Sequence, residues 1–137
     1  MTRHLLEVDD LTAPELAHVL DLSELDPPEQ VLEGQGMALL FEKPSARTRN
    51  SMEMAVLQLG GHPVTIRPDE VGLDVRESTE DVARTLACYH GAIGARVFEH
   101  AKVERMAGVV DVPVVNMLSD QAHPCLLYTS DAADDFA

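Results

Sequence analysis

Apolar residues fall into short runs separated by polar turns, with two kinds of spacing in alternation. Met37-Ala38-Leu39-Leu40-Phe41 is continuous, the pattern of a strand covered on both faces, and predicts a central strand of a parallel sheet. Pro63-Val64-Thr65-Ile66, Ala92-Ile93 through Val97-Phe98, and Val112-Pro113-Val114-Val115-Asn116 are three more strand candidates. Between them the spacing turns helical. Ala46 to Leu59 carries Met52, Ala55, Val56 and Leu59 and runs into Gly60-Gly61, a helix stop. Ser78-Thr79-Glu80-Asp81 has a capping-box pattern ahead of Val82, Leu86 and Tyr89 on one face, with Gly91 at the far end. Glu99 to Ala107 is a third segment of this kind.

Ahead of these, Thr12 is placed as an N-cap with Pro14 and Glu15 in the first turn. Leu16, Val19 and Leu20 then form an amphipathic stripe that Asp26-Pro27-Pro28 terminates. Strands alternating with helices predict an α/β fold, a parallel sheet of about four strands with helices on both faces. The 137 residues suit one domain. The stretch 126–137, LLYTSDAADDFA, follows neither period and is expected to be a disordered or artefactual tail. No internal repeat is present.

Composition narrows the function. The 45% hydrophobic and 25% charged residues fit a packed soluble domain, and 24 acidic against 10 basic residues give a net charge of −14. That balance repels phosphate backbones and anionic membranes, so neither nucleic acid nor membrane is expected as a partner. The start, MTRHLLEVDD, has no apolar stretch of signal-peptide length, and a cytoplasmic location is expected. Cys88 and Cys125 are too few for a disulfide framework and read as incidental or buried thiols. Cys88, Met52 and Met54 read as packing residues, and His4, His18, His62, His90 and His100 as surface or partly buried groups without metal-ligand spacing.

Chemistry concentrates in Phe41-Glu42-Lys43-Pro44-Ser45-Ala46-Arg47-Thr48-Arg49, between a buried strand and a helix N-terminus. Free amides and the positive end of the helix dipole favour an anion there, Ser45 and Thr48 add hydroxyls, and Arg47 adds a fork suited to phosphate oxygens. Lys43 and Arg49 are placed as support for the local field. By spacing alone, solvated surface charge explains these residues as well, since no GxxxxGKS or GxGxxG accompanies them. Arg96, between Ala95 and Val97 in an apolar strand, demands a partner if buried.

FEKPSARTR resembles the phosphate-binding signature of the aspartate and ornithine carbamoyltransferases, usually Ser-Thr-Arg-Thr-Arg. The resemblance continues through Gly60-Gly61, Arg76-Glu77-Ser78 with Asp81-Val82-Ala83-Arg84, Arg96, Val112 to Asn116, and His123-Pro124. It covers nearly all of residues 1–125, which reads as a carbamoyl-phosphate-binding domain. Phe41-Glu42-Lys43 is similar to the ornithine branch rather than the aspartate branch. The resemblance implies that Ser45, Ala46, Arg47 and Thr48 hold the phosphate of carbamoyl phosphate. It places Arg96 and His123 near the carbamoyl oxygen, with Arg96, Thr48 and His123 as oxyanion donors. It implies transfer to the ornithine side-chain amine in arginine biosynthesis, a homotrimer, and no metal or organic cofactor.

Departures from that pattern shape the expectation. Ala46 replaces the usual threonine, removing a hydroxyl and keeping the amide. Gly72 occupies the place where the ornithine enzymes carry a glutamine that reaches a neighbouring subunit, with Arg76 as a substitute. After Cys125 the family's glutamine and following helix are replaced by Leu126 and the tail, and the second, amino-acid-binding domain is missing. The chain therefore reads as a fragment that does not turn over by itself. Other readings are a carbamoyltransferase for another amine such as aspartate, a noncatalytic carbamoyl-phosphate or phosphate-binding module, and a marginally folded fragment without function.

Overall fold

The computed structural model describes residues 2–122. Four strands, β1 (Gly36–Phe41), β2 (His62–Ile66), β3 (Ala92–Arg96) and β4 (Val114–Leu118), form one all-parallel sheet in the order β2-β1-β3-β4. Five helices accompany them: α1 (Ala13–Ser23), α2 (Ala46–Gln58), the single turn α3 (Pro68–Val71), α4 (Thr79–Tyr89) and α5 (His100–Ala107). No helix among the described residues is long and apolar enough to cross a membrane.

The continuous run of β1 is used as its pattern predicts. Met37, Leu39 and Phe41 pack with Val56 of α2, Ala92 and Met117 on one face. Ala38 and Leu40 pack on the other with Val82 and Ala83 of α4, Val103 and Met106 of α5, Ile93 and Val114. Both faces of the sheet carry helices, and both edges of β1 are hydrogen-bonded. The outer edge of β4 meets the N-terminal segment: the Leu5 N–H donates to the Val114 carbonyl at 2.9 Å, and the Asn116 N–H donates to the Leu5 carbonyl at 2.8 Å.

Capping explains the helix starts. Thr12 caps α1 as expected, with Pro14 in the first turn, and Glu15 completes a reciprocal capping box beyond that expectation. At α4 only half the box forms: the Ser78 hydroxyl accepts the Asp81 N–H at 3.1 Å. Gly60, at φ 88°, ends the α2 turn in the left-handed region, where a side chain would also meet Gln30.

Several expectations are corrected. The apolar stripe of α1 is not buried: Leu16 is half-buried, Val19 and Leu20 are about 40% exposed, and Val19 faces Ala55, Gln58 and Leu59 at the end of α2 across an open groove. Tyr89 points to solvent although Val82 and Leu86 of the same helix face inward. Cys88 and Met54 are exposed rather than packed. His100 is buried, its Nδ1 2.7 Å from Ser119 Oγ and its Nε2 3.4 Å from Glu7. β3 ends at Arg96 and β4 begins at Val114, each shifted by two residues from the pattern-based bounds. The expected tail 126–137 lies outside the described residues.

Core and surface apolar residues separate in a mutational test. Leu39→Ala is expected to lower unfolding free energy by roughly 2–5 kcal/mol, the range for truncating a fully buried leucine. Leu20→Ala should change it by less than about 1 kcal/mol, as for an exposed site. Urea denaturation of both variants checks this, and equal losses would place a cover over α1 in solution.

Candidate functional site

The strand order fixes where a ligand can enter. From β1 the chain passes to β2 on one side and then returns to β3 on the other, so the connections diverge between β1 and β3. In open parallel sheets that switch point opens a crevice beyond the carboxyl ends of the strands. Phe41, the last residue of β1, is in register with Arg96, the last of β3, and both chemistry-bearing segments begin there.

Ser45 is the N-cap of α2, and its hydroxyl accepts the Thr48 N–H at 3.3 Å. The amides of Ala46 and Arg47, in the first turn, have no intrahelical acceptor and face the opening with the positive end of the helix dipole. No acidic residue lies in that turn. Thr48 is buried, and its Oγ1 accepts from Arg96 Nη1 at 3.3 Å, leaving the hydroxyl hydrogen to donate elsewhere. The structure thus brings Ser45, Ala46, Arg47, Thr48 and Arg96 to one end of the sheet. His123 lies outside the described residues.

Charge distribution separates this end from the rest of the surface. Arg3, Arg49, Arg67, Arg84, Lys102 and Arg105 are each ion-paired with a carboxylate. Lys43, Arg47 and Arg76 have no such partner among the described residues. In a chain with 24 carboxylates and 10 basic residues, that concentrates uncompensated positive charge around the α2 turn and the loop before α4. Arg49, placed as field support, instead pairs with Glu53 at 2.9 Å; Glu53 is held below the ordinary carboxylate range by the Thr65 hydroxyl and then by Arg49. A cavity of about 450 Å³ beside the turn is lined by Phe41, Pro44, Ser45, Ala46, Thr65 and Pro68 together with the charged Arg49, Arg67 and Asp69; Arg47, Thr48 and Arg96 are not among its lining residues.

The loop between α3 and α4 is tightly built. Gly72 and Asp74 both have positive φ, 58° and 61°. A Cβ at residue 72 would lie 3.1 Å from Arg76 Cγ, so the stem of Arg76 occupies the space a side chain at 72 would enter. Asp74 accepts the N–H and the hydroxyl of Thr79, and Arg105 clamps it bidentately at 2.8 and 3.0 Å while also reaching Glu80. This anchor, and the Glu42 contacts described below, were not singled out from sequence. A non-glycine left-handed residue is invisible to periodicity, and Arg105 lies 31 residues from Asp74.

Comparison with known proteins agrees with this geometry. The family description "Aspartate/ornithine carbamoyltransferase, carbamoyl-P binding domain" matches residues 3–129. The chain is 42% identical over 127 residues to ornithine carbamoyltransferase of Methanocaldococcus jannaschii, covering 89% of this chain and 42% of that protein. The solved ornithine carbamoyltransferase from Pyrococcus furiosus superposes with a TM-score of 0.83 at 41% identity, over 90% of this chain and 42% of that one. For the enzyme from Thermus thermophilus the values are 0.82 and 44%, over 90% and 45%. The chain spans about two fifths of the length of the curated relatives it matches.

The loop anchor sets an acid response. Arg105, and then the Thr79 amide, hold the Asp74 carboxyl well below the ordinary carboxylate range. A depressed folded-state pKa adds stability that is complete above the unfolded value of about 3.9 and fades as pH falls below it. Asp74→Asn is expected to flatten the loss of stability below about pH 4. Urea midpoints measured across the acid range check this, and a slope equal to that of the unmodified chain would remove Asp74 from the acid response.

Proposed function

The chain belongs to the aspartate/ornithine carbamoyltransferase family as a carbamoyl-phosphate-binding domain, and from that premise we propose that it is the carbamoyl-phosphate-binding part of an ornithine carbamoyltransferase. The observation that carries this reading is the Ser45-capped N-terminus of α2 at the switch point, with Arg47 free of carboxylates among the described residues and Arg96 held on Thr48. In this reading the phosphate dianion takes the amides of Ala46 and Arg47, the Ser45 and Thr48 hydroxyls and the Arg47 guanidinium. Ala46 contributes its amide alone.

The chemistry asks for a fixed leaving group and donors at one oxygen. The amine nitrogen of ornithine attacks the carbamoyl carbon, and the carbonyl electrons move onto oxygen. Collapse of that intermediate breaks the bond to the phosphate oxygen, and the nitrogen loses a proton to give citrulline and phosphate. Arg96 and the Thr48 hydroxyl, with His123, are the proposed donors to the oxyanion, a role worth most where geometry is fixed in advance. Ornithine as acceptor, a homotrimer, the cytoplasm and arginine biosynthesis extend this reading from the relatives' names and the family resemblance.

Titration calorimetry of the 137-residue chain with carbamoyl phosphate tests it. Saturable heat is expected, and Arg47→Ala should weaken affinity by roughly tenfold or more, the loss for removing a charge-assisted anion contact. Heat that the substitution leaves unchanged would overturn the assignment of the pocket.

A further inference from the structure

Glu42 is a carboxylate at the entrance to a site read above as an anion site. It directly follows β1 and precedes Lys43, three residues from Ser45. Left to itself, such a group would oppose a bound dianion or draw the nearby guanidinium groups onto itself. The structure holds it elsewhere. Its Oε2 lies 2.7 Å from Lys102 Nζ, and both side chains are largely buried, at 14% and 12% exposure. Its Oε1 accepts the Phe98 N–H at 3.0 Å, and its own N–H donates to the Arg96 carbonyl at 2.8 Å.

Two features of this pair are poorly explained by stability. Lys102 is the third residue of α5, where a cation opposes the helix dipole. A largely buried ion pair also contributes little net stability compared with apolar residues of the same size. What the pair does is local: Glu42 brackets residues 96–98 from both sides, by the Arg96 carbonyl and the Phe98 amide. The β3–β4 register shifts between Ala95 and Arg96: Ala95 faces Asn116, Arg96 faces Leu118, and the Val97 N–H donates to the Leu118 carbonyl at 2.8 Å, so the ladder passes Arg96 across an irregularity. Contacts from Glu42 hold the same residues from the β1 side, past the end of that ladder at Phe41–Arg96.

We infer that Lys102 is a positioning residue for the anion site. By neutralising and holding Glu42, it keeps this carboxylate off the site's guanidinium groups and fixes the end of β3 so that Arg96 stays on Thr48. The inference rests on the proposed carbamoyl-phosphate site for its meaning, and on Glu42, Lys102 and Arg96 for its geometry.

The test removes the charge and keeps the stem, as Lys102→Met, in the 137-residue chain. Without ligand, the Nε–H resonance of Arg96, assigned by its loss in Arg96→Lys, is expected to shift in Lys102→Met. It should return toward its original position in Glu42→Gln/Lys102→Met, where no carboxylate remains to capture it. An Arg96 resonance unmoved by Lys102→Met, or still displaced in the double variant, overturns the inference. A general packing defect would leave the double variant displaced. Carbamoyl phosphate affinity by calorimetry should fall roughly tenfold in Lys102→Met and recover to within about threefold in the double variant. If the unmodified chain takes up no carbamoyl phosphate, the proposed function fails and the Arg96 resonance still decides the inference. Should methionine at 102 prevent folding, Lys102→Leu, which likewise offers Glu42 no donor, serves in its place with the same expected outcomes.

Discussion

β1 is covered by side chains on both faces and hydrogen-bonded along both edges, so its neighbours can gather polar groups only at its ends. At the carboxyl end the chain turns into α2, and the turn must satisfy or expose the first amides of that helix. Ser45 satisfies one, through Thr48, and the others remain for a ligand. The direction in which the chain leaves β1 also separates β2 from β3, opening the crevice at the same place. Burial of a five-residue apolar run and the location of the anion site are one arrangement.

Electrostatics in so acidic a chain pose a second condition. Any basic residue near the site has many carboxylates to pair with, and most of the chain's cations are so paired. Arg47 and Lys43 escape in part because the first turn of α2 holds no acid and because Glu42, adjacent to Lys43 in the chain, is tied to Lys102. A pocket's field here depends as much on where negative charge is held as on where positive charge is placed.

Much of this was legible in the pattern of residues. The continuous run 37–41, the helical stripe of α2 and the Thr12 and Ser78 caps each specify local structure without reference to distant residues, and the parallel sheet with helices on both faces follows from their alternation. The serine, threonine and arginine of the α2 turn were likewise readable, because helix N-termini advertise their chemistry locally. What sequence did not give depends on long separations. Lys102 meets Glu42 across 60 residues, and Arg105 meets Asp74 across 31. The stripe of α1 misled for a related reason: amphipathic spacing announces a face to be covered without saying that a cover is present among these residues.

The strap of Leu5 along β4 carries a consequence for synthesis. Leu5 bonds to Val114 and Asn116, residues made about 110 positions later. During translation the first residues must therefore wait, unpaired, while β1 emerges with two apolar faces, then β2, then β3, and only then the strand they close upon. Contacts so distant in sequence form late and slow the search for the native topology. The nascent chain thus passes through an interval in which its most apolar strand is complete and its sheet is not, the state most exposed to association with other chains.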